Sequence, residues 1–251
     1  MNPFSLSGKI VLITGASSGI GRECAILCSR MGAKVIVTGR DATKLNDTVN
    51  HLEVKSDHLG IISNLTDVIQ TESLISEAIK KFGRIDGLVH SAGISTTLPL
   101  NMMKDKKLDE FFHSNVSSAI NLTRLLVKHM PADGGSIVYL TSVMAVTGES
   151  GKSLYSMTKG ALLAAARSLA IELAPKKIRI NCISPGVVVT PMSQKSIYSQ
   201  SEEGIEKIKL LHPLGLGTPE DIAAACVYLL SGAARWVTGL NLIIDGGYTA
   251  R

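Results

Sequence analysis

The sequence predicts an α/β chain in which seven strands form one parallel sheet, doubly wound, with helices on both faces. Three observations carry that expectation. Short runs rich in β-branched residues alternate with longer amphipathic segments along the 251 residues. The runs are apolar at successive positions, too continuous for strands with one wet face, as a sheet covered on both sides requires. A glycine-rich turn joins the first run directly to the first helical segment.

In chain order, residues 10–14 form the first strand, and the turn Thr14-Gly15-Ala16-Ser17-Ser18-Gly19-Ile20-Gly21 leads into a helix from about Arg22. The second strand, 35–38, runs into Gly39-Arg40-Asp41, where Asp41 reads as the N-cap of a helix opening with Ala42-Thr43-Lys44-Leu45. Runs 60–63 and 87–90 supply the next two strands, and one long helical pattern, 108–130, precedes a fifth at 136–140. A second long helix, ending near Leu173, carries Tyr155 and Lys159 and leads to the sixth strand at 178–183. Residues 191–213 are polar and strand-free and read as a mobile substrate lid. Thr218, ahead of Pro219-Glu220-Asp221, caps the last helix before strand 241–244. No composition break, linker or repeat divides the chain, so residues 1–251 read as one domain.

Composition narrows the function. Hydrophobic residues make up 45% of the chain, which excludes disorder and suffices for a large core. The excess of 26 Lys+Arg over 21 Asp+Glu, a net charge of +5, is spread out rather than gathered into runs, so nucleic-acid binding is not expected. The four cysteines, Cys24, Cys28, Cys182 and Cys226, lack CxxC spacing and sit in apolar stretches; they read as buried free thiols, with no metal site. No signal pattern opens the chain and no apolar span is long enough for a membrane, so a cytoplasmic protein without membrane contact is expected.

The glycine turn is where chemistry first shows. Gly15, Gly19 and Gly21 permit a tight turn, close backbone approach to a pyrophosphate and close helix packing, while the helix N-terminus supplies partial positive charge. Placed between a strand and a helix, Gly15 to Gly21, with Ser17 and Ser18 inside it, predicts a dinucleotide site in a Rossmann-type sheet. An acidic residue ending the second strand would hold a free ribose 2′-hydroxyl; here Gly39 leaves room and Arg40 offers a fork of donors to a phosphate, so NADP(H) is expected over NAD(H).

Tyr155 and Lys159, four apart on a helix, stack on one face. An ammonium about 4 Å from a phenol favours the phenolate by up to about 4 kcal/mol at an effective dielectric near 20, about 3 pKa units. That brings a phenol into the range where it exchanges a proton at neutral pH. Ser142 follows the fifth strand, at the sheet edge where cofactor crevices form.

With these motifs in place the sequence resembles the short-chain dehydrogenases/reductases from Gly8 to Gly247. The turn Thr14–Gly21, Asn115, Ser142, the Tyr155/Lys159 pair, Pro185-Gly186 and Asp245-Gly246-Gly247 occur in the family's order. The resemblance implies that Tyr155 is the general acid in reduction and the base in oxidation, and that Ser142 hydrogen-bonds the substrate oxygen. It implies that Lys159 lowers the Tyr155 pKa and holds the nicotinamide ribose, and that Asn115 positions a water in a proton relay. It also implies cofactor contacts at Ile20, Ala92, Gly93, Pro185, Gly186, Val188 and Thr190, the last touching the carboxamide. Two departures stand out: His90-Ser91 replace two asparagines, and Asn64-Leu65 replace an aspartate facing the adenine, where the asparagine carbonyl can accept the same bond.

Within the family the likeness points to 3-oxoacyl-[acyl-carrier-protein] reductases, with a small carbonyl or alcohol substrate, such as a sugar or steroid, as the alternative. A non-catalytic cofactor sensor is the remaining reading. Lys128-His129 and Lys176-Lys177-Ile178-Arg179 follow helices, where the dipole favours cations, and would also suit an acidic carrier protein, although Ile171 stands where an arginine would help. The apolar faces of 108–130 and 154–173 and the family pattern imply a homotetramer or homodimer. Substrate selection would fall to the lid and to Met144, Val146, Gly148, Glu149 and Met192.

Overall fold

A computed structural model describes residues 2–53, 57–196 and 200–250. Its strands are β1 (Ile10–Thr14), β2 (Lys34–Gly39), β3 (Leu59–Ile62), β4 (Gly87–His90), β5 (Gly135–Leu140), β6 (Ile178–Pro185) and β7 (Asn241–Ile244). Its helices are α1 (Gly19–Arg30), α2 (Ala42–Asn50), α3 (Val68–Phe82), α4 (Asp105–Phe112), α5 (Ser118–Leu126), α6 (Ser153–Leu173), α7 (Glu202–Leu210) and α8 (Pro219–Leu230). The sheet has the order β3-β2-β1-β4-β5-β6-β7 and every pairing is parallel. Winding reverses between β1 and β4, whose register sets Thr14 beside His90. A crevice opens at the C-terminal strand ends at such a reversal.

Two apolar layers hold the sheet. On one face Cys24, Ala25 and Cys28 of α1 meet Ala223, Cys226 and Val227 of α8; on the other, Leu74 of α3, Leu122 and Leu126 of α5, and Leu162 and Ala166 of α6 pack together. Each fully buried Leu or Ile contributes about 1.5–3 kcal/mol. All four cysteines are free and buried, as their apolar settings predict. Burial pushes the Cys182 thiol up to about 12. Thr218 starts α8 with a capping box, its backbone N–H donating to the Asp221 carboxylate at 2.7 Å.

Two expectations about helices change. The pattern over 108–130 is not one helix: α4 and α5 are joined by a π-helical turn, His113–Ser117, and α5 ends at Leu126. The wider turn swings Asn115 inward, where its side chain bonds both backbone groups of Ile94. The segment 191–213 is also more regular than its polarity suggests, since α7 lies inside it. Ser201 caps that helix, accepting from the Gly204 N–H at 3.1 Å, and Glu202 and Glu203 open it while Lys207 and Lys209 close it. Residues 197–199 of the expected lid lie outside the described residues.

Candidate active site

A cavity of about 570 Å³ opens over the C-terminal ends of β1, β2, β4, β5 and β6. Among its lining residues are Gly15, Ser17, Ser18, Gly19, Ile20, Arg40, Asn64, Leu65, Ala92, Gly93, Ser142, Tyr155, Lys159, Pro185, Gly186, Val188 and Thr190. Of the site residues picked from sequence, Gly21 and Asn115 stand behind the wall instead. Met144, Glu149 and Met192 line the cavity, whereas Val146 and Gly148 do not.

The glycine turn is built by close approach. Gly15 has φ +64°, and a Cβ there would lie 2.9 Å from the Ala92 nitrogen. A Cβ at Gly21 would strike the Gly15 carbonyl oxygen, so only glycine lets α1 begin against the turn. The N-cap Ser18 makes no side-chain capping bond to the first N–H groups of α1. Ser17 Oγ and Thr38 Oγ1 are buried without a hydrogen-bond partner among the described residues. Orphan hydroxyls beside a helix N-terminus fit the phosphates and ribose of a dinucleotide.

The end of β2 differs in detail from expectation. The space beside Gly39 is not open: a Cβ there would strike Ser17 Oγ. Arg40 is exposed at the cavity rim, and Lys44, one helical turn on, lines the cavity too. Asp41 caps α2 by accepting the Lys44 N–H at 3.1 Å, and that bond holds its carboxyl below the usual range. Lys44 escapes sequence reading because it sits among residues that an N-cap already explains.

Asn64 and His90 show how the two departures are accommodated. Asn64 Oδ1 accepts from the Thr66 N–H at 3.3 Å and its hydroxyl at 3.0 Å, so the carbonyl expected to face adenine is already engaged. His90 is buried, and Nδ1 lies 3.2 Å from Thr14 Oγ1, which accepts from the Ala92 N–H at 3.1 Å. Thr14 can then donate to Nδ1, leaving the proton on Nε2. Burial pulls the His90 pKa down to about 3, helped by the nearby Lys159 charge, so the ring is neutral.

The wall opposite the glycine turn carries Ser142, Tyr155 and Lys159. Ser142 leaves β5, its Oγ accepting from the Met144 N–H at 3.2 Å, so its O–H remains to donate. Lys159 is 5% exposed and donates to the Leu140 carbonyl at 2.8 Å. Loss of water brings its pKa down to about 8. Its Nζ lies 5.6 Å from the centre of the Tyr155 ring. Asn115 Oδ1 accepts from the Ile94 N–H at 2.8 Å, and Nδ2 donates to the Ile94 carbonyl and Thr158 Oγ1, both at 3.0 Å. Only one Oδ1 lone pair is left over for the water expected there.

Two further side chains were invisible in the sequence. His212, 2% exposed, accepts the Val187 N–H at Nε2, 3.1 Å, and donates from Nδ1 to the Ile208 carbonyl, 2.8 Å, tying α7 to the loop after β6. Lys152 lines the cavity at 8% exposed. Arg179, by contrast, turns inward to the Val237 and Ser231 carbonyls at 3.3 and 3.4 Å, which removes it from the cationic surface expected there. Among the described residues no cluster of His, Cys, Asp or Glu could hold a metal ion, and no helix is long and apolar enough to cross a membrane.

A family model described as enoyl-(acyl carrier protein) reductase matches residues 15–249. The chain belongs to the short-chain dehydrogenase/reductase family. Among its relatives in the family is the 3-oxoacyl-[acyl-carrier-protein] reductase FabG of Thermotoga maritima, 34% identical over 245 residues, covering 96% of this chain and 98% of that protein. The short-chain dehydrogenase/reductase SDRA of Arabidopsis thaliana is 32% identical over 253 residues, covering 99% and 98%. Among solved structures, a 7α-hydroxysteroid dehydrogenase complexed with NADH and 7-oxo glycochenodeoxycholic acid superposes with a TM-score of 0.93, at 32% identity over 98% of this chain and 96% of that one. This short-chain dehydrogenase/reductase is therefore an oxidoreductase acting on CH–OH groups.

Proposed function

We propose that the protein is an NADP(H)-dependent reductase that interconverts a ketone and a secondary alcohol, with a 3-oxoacyl group as substrate. The observation that carries the reading is the convergence of Ser142, Tyr155 and a buried Lys159 on the cavity that the glycine turn opens into. Ser17, the N-terminus of α1, Arg40 and Lys44 would hold the phosphates of NADP(H), which when bound exchanges hydride with the carbonyl carbon. Ser142 donates a hydrogen bond to the carbonyl oxygen, and Tyr155 gives that oxygen its proton as negative charge develops on it. The Lys159 ammonium, 5.6 Å from the centre of the Tyr155 ring, favours the resulting phenolate electrostatically. Asn115 holds the loop at Ile94 in place beside Lys159.

The form of the 3-oxoacyl group that the FabG relative's name supplies is an acyl-carrier-protein thioester. Lys128, Lys176 and Lys177 would face such an acidic carrier, α7 would act as the lid, and two or four copies would associate. The test is NADPH against NADH consumption with acetoacetyl-coenzyme A, comparing wild type with Arg40→Ala. One charge-assisted bond at 1.5–3 kcal/mol predicts a KM for NADPH about 10- to 100-fold higher in the variant, with NADH little changed. A wild-type preference for NADH would overturn the cofactor assignment.

A further inference from the structure

Among the described residues Lys152 and Lys159 are the two lysines buried without an ion-pair partner, and the proton transfer at Tyr155 uses only Lys159. Lys152 precedes α6 by one residue and lines the same cavity as Ser142 and Tyr155, three positions ahead of the tyrosine. It is 8% exposed, whereas lysines are almost never so covered unless paired. No carboxylate of the described residues lies within 4 Å of its ammonium; its one hydrogen bond is a long one, 3.5 Å, to the Thr96 carbonyl. Glu149, exposed on the same rim, is the acidic group nearest in the chain, and its backbone carbonyl accepts from the backbone N–H of Lys152 at 3.1 Å. Loss of water lowers the Lys152 pKa, while Glu149 at a distance works the other way.

The lysine is not needed to hold the neighbouring loop. The Leu98 N–H already donates to the Gly151 carbonyl at 2.7 Å, and a Cβ at Gly151, where φ is +75°, would lie 2.8 Å from the Thr97 methyl. Backbone contact thus seats residues 97 and 98 against 151. What remains for Lys152 is the cavity itself, where an ammonium with no carboxylate of the described residues within 4 Å, and with Glu149 acting on it only from a distance, attracts an anion. One helical turn separates it from Tyr155, about 5–6 Å between Cβ atoms, so a group held by Lys152 sits a few bonds from a carbonyl held by Tyr155 and Ser142.

We propose that Lys152 is a specificity-determining residue that binds a carboxylate of the substrate, so that the preferred substrate is a short oxo-acid anion, or the matching hydroxy acid, with its carboxylate a few bonds from the reacting carbonyl. This rests on the ketone–alcohol reading of Tyr155 and, within it, replaces the thioester form with the free 3-oxo acid. The side chain acts before the chemistry, by fixing which end of the molecule faces Lys152 and which carbon faces the cofactor.

Binding measured without turnover separates the two claims. Calorimetry on Tyr155→Phe saturated with NADP⁺ gives the affinities of acetoacetate and of methyl acetoacetate, with and without Lys152→Met. Acetoacetate is expected to bind at least about tenfold tighter than the ester. Lys152→Met should abolish that ratio and leave the ester's affinity unchanged, and Lys152→Arg should retain most of it. Equal binding of acid and ester, a uniform loss for both on Lys152→Met, or no acid binding at 10 mM would overturn the proposal. The ester also reports whether the variant keeps its fold. Failure of wild type to reduce either compound would strike the ketone–alcohol reading instead, whatever the binding ratio.

Discussion

Replacing His90 by asparagine should make the protein resist acid. The ring is buried between Thr14, Tyr139 and the Lys159 charge, and its pKa stands at about 3 against 6.5 for an exposed imidazole. A folded-state pKa lowered in this way means that the unfolded chain takes up a proton between pH 6.5 and 3 and the folded chain does not. Stability is therefore intact above about pH 6.5 and lost as pH falls toward 3. At pH 5 the loss is about 1.5 units times 1.36 kcal/mol, or about 2 kcal/mol, and at pH 7 it is close to zero. Asparagine has no proton to gain and can still bond to Thr14. Urea unfolding of wild type and His90→Asn at pH 7 and pH 5 cancels every other titrating group that the two share. The stability difference between them should move by about 2 kcal/mol in favour of the variant on going to pH 5. A difference that stays constant between the two pH values would refute a buried, neutral His90.

Other perturbations follow from the same geometry. Lys159→Met removes a cation whose pKa falls from 10.5 to about 8; the burial penalty, about 3 kcal/mol at pH 7, is fully present below pH 8 and disappears between 8 and 10.5. Losing the Leu140 bond offsets part of this, so the cofactor-free variant should be about 1–2 kcal/mol more stable than wild type at pH 7 in urea, yet inactive. A loss of stability of more than about 2 kcal/mol would contradict it. Gly21→Ala forces a methyl against the Gly15 carbonyl; overpacking of about 1–3 kcal/mol should appear as at least about tenfold weaker NADPH binding by fluorescence titration. Unchanged affinity would mean that the turn does not shape the cofactor site.

Where residue type alone sets the conformation, sequence sufficed. Ile10–Ile13 is apolar at every position because both faces of its strand are covered, and Thr218 caps because Asp221 stands three residues on. Tyr155 and Lys159 share a helix face through spacing alone. What sequence could not show depends on where side chains turn after folding. A 3.6-residue period over 108–130 hardly registers one extra residue, so the π turn that aims Asn115 at Ile94 passed unseen. Nothing local says that Ser17 fills the space beside Gly39, or that Arg179 turns inward to Val237 and Ser231. Nothing in the sequence sets Lys152 or His212 apart, because burial of a polar side chain leaves no periodic trace.

The central claim is that Tyr155 supplies the proton for carbonyl reduction at this site. Tyr155→Phe removes only the phenolic hydroxyl, so NADPH oxidation under single-turnover conditions, with NADPH affinity measured on the same preparation, tests it most directly. The account predicts a rate lower by about 10²- to 10⁴-fold, the contribution of one general acid, with NADPH affinity within about threefold of wild type. A variant that turns over within tenfold of wild type would contradict it and place the proton donor elsewhere in the cavity.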